Sequence, residues 1–181
     1  MAQIEADAET QDRIGAKPHL GGDTEVEMAL YELQHALVCH GEAFSRYAGM
    51  QLSRIVDDPN LTGPDCVILQ CVRAGDRPKG ITEIQHYTNR TDTANIHYSL
   101  KKLVKAGLIE KIPQEKGRKT VYGLTDKGTE TVDRYVKARR GFIDLIPSND
   151  DRFVADLKTA RRMIILLTGY YDNASRSLTI E

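Results

Sequence analysis

Thr91-Asp92-Thr93-Ala94-Asn95-Ile96-His97-Tyr98-Ser99-Leu100-Lys101-Lys102-Leu103-Val104-Lys105-Ala106-Gly107 is the stretch whose reading decides the fold. Ile96, Leu100, Leu103 and Val104 follow the i, i+4, i+7, i+8 spacing of an amphipathic helix, and Gly107 stands where such a helix ends in a left-handed cap. At 3.6 residues per turn, Thr91, Ala94, Asn95, Tyr98, Lys101, Lys102 and Lys105 fall on the side away from that stripe. Hydrogen-bonding groups come first on this side and cations last. Small or amide side chains near a helix N-terminus can enter a major groove while later lysines reach the flanking phosphates, so the layout is that of a recognition helix.

Two β-prone runs follow, Leu108-Ile109-Glu110-Lys111-Ile112 and Thr120-Val121-Tyr122-Gly123-Leu124, with Pro113-Gln114-Glu115-Lys116-Gly117-Arg118-Lys119 between them. Helix, strand, basic turn and strand make a winged helix-turn-helix. A lone two-stranded ribbon is marginal, so the wing is expected to lean on the helices before it. Its tip presents Lys116, Arg118 and Lys119 around a glycine, suited to a narrow minor groove or the backbone beside it.

Leu103-Val104-Lys105-Ala106-Gly107-Leu108-Ile109, the arginine at the wing tip and Leu124-Thr125-Asp126-Lys127-Gly128 resemble the MarR family of bacterial transcription regulators. The resemblance covers roughly Thr62 to Thr131 and reaches the flanking helices only in layout. In that family the wing usually carries an aspartate two residues before the arginine, where this chain has Lys116. The resemblance implies a homodimer on a pseudo-palindromic DNA operator, often released by a small ligand or by oxidation.

Charge is unevenly spread over the 181 residues. Residues 1–60 hold four Lys/Arg against eleven Asp/Glu, 61–130 hold twelve against eight, and 131–181 hold nine against seven. The basic excess coincides with the helix and wing, as a phosphate-binding surface requires, although it is small. With 40% apolar residues the chain can build a core, and no apolar run is long enough to cross a bilayer. The acidic start lacks the features of a signal peptide, so a cytoplasmic location is expected. Cys39, Cys66 and Cys71 are an odd count without zinc-finger spacing, which argues against a disulfide framework.

The expected architecture is mainly α: a winged helix-turn-helix with a small β-wing, flanked by N- and C-terminal dimerisation helices. Residues 1–22 read as a flexible tail, 23–58 as the N-terminal dimerisation helix region, 59–128 as the DNA-binding domain, 129–172 as C-terminal dimerisation helices and 173–181 as a tail. Asp23 or Thr24 caps the first helix, whose apolar pattern runs from Val26 to Ile55 as one long helix or two abutting ones. Pro64 suits the first turn of the next helix, Asp65 to Ala74. Thr82 caps a short helix, Glu83 to Thr88, and joins the DNA-contact set; Thr91 or Asp92 caps the recognition helix. A helix from Asp126 to about Ile146 stops before Pro147, and Ser148, Asn149 or Asp150 caps the last one. There Phe153, Leu157, Ala160, Ile164 and Leu167 form a stripe that this small chain cannot bury alone, so a second subunit is expected to cover it.

Lysines on a surface helix ordinarily only face water, but the Asn, Tyr and Thr beside them and the basic wing downstream favour phosphate contact here. Thr93, Asn95 and Tyr98 are the expected base readers, because an asparagine amide bonds adenine in both directions and a tyrosine can meet a thymine methyl or a phosphate. His97, at the edge between faces, reads as structural. Tyr31, His35, Phe44, Arg46 and Tyr47 are candidates to line a site for a small aromatic or anionic effector, with ordinary dimer packing as the competing reading. His35 and Cys39 at i, i+4 have metal-ligand spacing, but no fourth ligand is evident, and no neighbouring cation marks Cys39 as a redox thiolate. No metal or cofactor is expected. Nor is catalysis, because nucleophile elbow, P-loop, dinucleotide fingerprint and paired carboxylates are all missing. The expected function is therefore a homodimeric, sequence-specific DNA-binding transcriptional repressor. The rival reading is a winged helix that meets an acidic protein partner instead of DNA.

Overall fold

The computed structural model describes residues 24–113, 119–146 and 151–178. The expected N-terminal tail therefore lies outside the described residues, as do the wing-tip residues Lys116 and Arg118 and the candidate caps Ser148, Asn149 and Asp150.

Helix α1 spans Glu25–Val56 without a break, although Gly41 and Gly49 lie inside it. Thr24 opens it with a capping box: its hydroxyl accepts from Glu27 N at 3.3 Å, and its own N–H donates to the Glu27 carboxylate at 3.0 Å. Asp57 ends it in the left-handed conformation, at φ 59°. Helix α2, Gly63–Arg73, starts behind Thr62 with Pro64 in its first turn, and a single 3-10 turn, Ala74–Asp76, follows. Helices α3, Ile81–Thr88, and α4, Thr93–Lys105, form the helix-turn-helix. Strands β2, Ile109–Ile112, and β3, Val121–Leu124, make the wing. Helices α5, Asp126–Ile143, and α6, Asp151–Leu178, complete the chain.

A third strand supports the ribbon. Lys79 and Gly80 form β1 and pair antiparallel with Tyr122 and Val121, giving the order β1-β3-β2. In the other ladder Ile109 faces Leu124 and Ile112 faces Val121. The β1 pairing fixes Gly80 at the mouth of α3, so the helix begins at Ile81 with Gly80 as its cap, and Glu83 accepts from Gly80 N at 3.1 Å. Thr82 therefore sits inside the first turn, where a cap was expected.

One core serves the whole reader domain. Leu52 of α1, Ile68, Leu69 and Val72 of α2, Ile84 of α3, and Ile96, Leu100 and Leu103 of α4 meet Leu108, Ile109, Tyr122, Val132 and Tyr135. The stripe predicted for the recognition helix is thus its buried face. Gly107 ends that helix at φ 71°, a region open to glycine at little cost.

The crossing of α1 over the start of α2 depends on two glycines. A Cβ at Gly49 would lie 2.7 Å from Gly63 N, and one at Gly63 would lie 2.4 Å from Ser45 O. Only hydrogen at both positions lets the two backbones touch.

Helix α6 behaves differently. None of its residues is buried, and Leu157, Ile165 and Leu166 are each at least half exposed. It touches the rest of the chain through Tyr171, whose hydroxyl bonds the Gln34 amide, and Asp172, which accepts from Asn89 at 3.4 Å. It also continues to Leu178, past the expected tail boundary at 173, because Asn173–Leu178 contains no proline or glycine to stop it. Among the described residues no helix is long and apolar enough to cross a membrane.

Candidate nucleic-acid interface

Helix α4 is held from its first residue. Asp92 is the cap: one carboxylate oxygen accepts from Asn95 N at 3.1 Å, and the other accepts from the Asn95 side-chain amide. Gln85 of α3 donates to Thr93 Oγ1 at 3.0 Å, tying the two helices across their turn. The Asn95 side chain thus has its orientation set before any partner arrives, with its amide oxygen unclaimed by the cap.

The exposed side of α4 carries Thr93, Ala94, Asn95, His97, Tyr98, Lys101 and Lys105, with Thr91 just before it. His97 is exposed among them, not part of the core. Lys102 departs from the expected row. It is turned inward, its side chain only 16% exposed, and its ammonium is bonded to the buried carboxylate of Asp65 on α2. A 37-residue separation in sequence hides that partner from any periodicity argument. Asp58 stands nearby; hydrogen bonds from the Asn60 backbone and side-chain amides, both 2.9 Å, hold its carboxyl below the usual carboxylate range, and Lys102 and Lys105 pull in the same direction.

On the wing, Lys119 is exposed two residues before β3 and Lys111 is exposed on β2. Lys111 and Gln85 were not singled out from the sequence. An exposed lysine on a strand is too common to stand out, and the role of Gln85 depends on how the turn closes.

The candidate effector residues are strung along α1. At 1.5 Å per residue Tyr31 and Tyr47 are about 24 Å apart, so one protomer does not bring the five into one cavity. Tyr47 stacks at a tilt on Phe142 of α5, ring centres 5.4 Å apart, and Phe44 lies 6.4 Å from the His40 ring. His35 Nε2 is 3.7 Å from Cys39 Sγ, and Arg46 is exposed. Two surface hollows of about 400 and 300 Å³ lie elsewhere: one beside Val72, Arg77, Pro78, Ile112 and Leu124, the other beside Asp133, Val136, Lys137 and Arg140. Among the described residues no three His, Cys, Asp or Glu side chains gather as metal ligands do.

A short helix bound to its predecessor, an outward polar face, and a basic two-stranded ribbon define a winged helix. Residues 61–128 match the family described as winged helix DNA-binding domain. Solved structures share the wider fold, flanking helices included. The transcriptional regulator BldR from Sulfolobus solfataricus is 16% identical, with 78% of this chain and 97% of that one covered and a TM-score of 0.59. A MarR family protein from Bacillus stearothermophilus is 16% identical over 79% and 97% of the two chains, with a TM-score of 0.55. BpsR of Bordetella bronchiseptica, whose DNA binding is regulated by 6-hydroxynicotinic acid, is 19% identical over 79% and 97%, with a TM-score of 0.55. No curated protein sequence matches the chain. The chain carries a winged helix DNA-binding domain within the fold of the MarR-family transcription regulators.

Proposed function

We propose that two copies of this chain form a dimer that binds a pseudo-palindromic DNA site and represses transcription from it. The observation that carries the reading is the division of α4. Ile96, Leu100 and Leu103 are buried in the core, while Ala94, Asn95, Tyr98, Lys101 and Lys105 face open solvent. Asn95 and Tyr98 read base edges with Thr93 beside them, and Lys101 and Lys105 hold phosphates. Lys119, with Lys116 and Arg118 at the wing tip, follows the minor groove or its backbone.

The apolar residues exposed along α6, together with Val26 and Val38 of α1 and Leu145 just past α5, leave more apolar surface uncovered than scattered single side chains would, which supports a partner surface. A second copy covers them, which places two recognition helices one turn of duplex apart. A small aromatic or anionic effector acts by changing that separation. Regulation of BpsR by a hydroxylated pyridine carboxylate supports this class of effector.

An electrophoretic shift assay on the promoter of the protein's own operon tests the reading, with Asn95→Ala and Arg118→Ala alongside. Both substitutions are expected to weaken retention. Undiminished retention by both variants refutes the assigned surface, and no retention even at low salt favours an acidic protein partner instead.

A further inference from the structure

Lys102 belongs by sequence to the row that faces DNA, and by structure to the joint behind it. Its ammonium bonds Asp65 Oδ2, which also accepts from Thr62 N and Thr62 Oγ1 at 2.8 Å each. Asp65 is 1% exposed, and its buried Oδ1 has no hydrogen-bond partner among the described residues. The same ammonium lies 5.5 Å from the centre of the Tyr98 ring, while Tyr98 itself is 64% exposed. One cation therefore joins the capping box of α2 to an exposed aromatic ring on the outward side of α4. The start of α2 is in turn packed against α1 at Gly49 and Gly63.

A phosphate contact needs an ammonium free to turn outward, and this one is already shared between a buried carboxylate and an aromatic face. We propose that Lys102 is a positioning residue: it locks the Tyr98 ring and the pitch of α4 against the α1–α2 joint, and does not contact the DNA backbone. Any shift of α1 in the dimer then reaches Tyr98 through Gly63, Asp65 and Lys102. This role rests on the DNA-reading function proposed above and assigns the sequence preference of that surface partly to a residue that never touches a base.

The test measures binding of the full chain by fluorescence anisotropy across a salt series. Two duplexes of equal length are used: one selected by the protein from a randomised library, and a scrambled one. Lys101→Ala, a phosphate contact, is expected to make the dependence of log affinity on log salt shallower by about one on both duplexes. Because a lone buried charge threatens folding, the main variant is D65N/K102M, which removes both charges. It is expected to keep the wild-type salt slope and to lose about tenfold on the selected duplex while changing little on the scrambled one. Tyr98→Ala added to it is expected to cost little more, because the two changes remove one unit. Lys102→Arg, which keeps a cation against Asp65, restores the preference. A slope that falls by about one, with equal loss on both duplexes, makes Lys102 a phosphate contact and overturns the proposal. So does a full, additive Tyr98→Ala effect in the double variant. If the unaltered chain holds neither duplex, the DNA-reading function itself fails and takes this role with it, a result distinct from either of the others.

Discussion

Replacing Gly63 by alanine tests the joint between α1 and the winged helix. The added Cβ would lie 2.4 Å from Ser45 O and 2.8 Å from Ser45 Cα, where ordinary contact begins at 3.4 Å. Both atoms are backbone inside α1, so no rotamer change relieves them, and the helices must part by about 1 Å. Overpacking of this kind costs roughly 1–3 kcal/mol, and contact with two backbone atoms places it in the upper part of that range. Alanine's helix preference over glycine returns at most about 1 kcal/mol, and less in a first turn. A net loss of about 2 kcal/mol remains, which for a chain of this size lowers the thermal midpoint by roughly 4–8 °C. Differential scanning calorimetry of wild type and variant measures it. An unchanged or raised midpoint would refute the close packing of α1 on α2.

Asp92→Ala removes the cap of α4 and the bond that orients Asn95; a loss of about 1 kcal/mol in urea unfolding is expected, together with weaker DNA retention. Burial pushes the Cys66 thiol and the Tyr135 hydroxyl up from their ordinary values. Both stay protonated in the folded chain at pH values where the unfolded chain releases its protons. Their contribution to stability is therefore complete below about pH 8.5 and is lost as pH rises through roughly 9 and beyond. Tyr135→Phe is expected to flatten that alkaline decline in a pH series of unfolding midpoints, and an equally steep decline in the variant contradicts the assignment. Leu157→Glu places a charge on the uncovered face of α6; sedimentation velocity is expected to show dimer giving way to monomer, and an unaltered dimer would mean that another face pairs.

The winged helix was legible in the sequence because its signals are local. The stripe Ile96, Leu100, Leu103 and the terminating Gly107 lie within one short segment, and the two strand runs bracket a basic turn. The structure departs from that reading wherever a distant partner decides the outcome. Lys102 turns inward because Asp65 waits on another helix, and α3 starts early because Lys79 and Gly80 pair with a strand some forty residues later. Spacing on a helical wheel cannot anticipate either. The candidate effector residues share a chemistry but no spacing that fixes them in space, and an unbroken α1 spreads them along its length in one protomer. Residues 173–181 read as a tail, whereas α6 runs on to Leu178, because nothing in Asn173–Leu178 breaks a helix.

Hydroxyl-radical footprinting of the full chain on its selected duplex tests the central claim most directly. Two protected patches on each strand, centred one helical turn or about 10 base pairs apart, are expected, with protection weakened by Asn95→Ala. Uniform cleavage along both strands at protein concentrations that saturate the shift assay would contradict a dimer that sets paired α4 helices into successive major grooves.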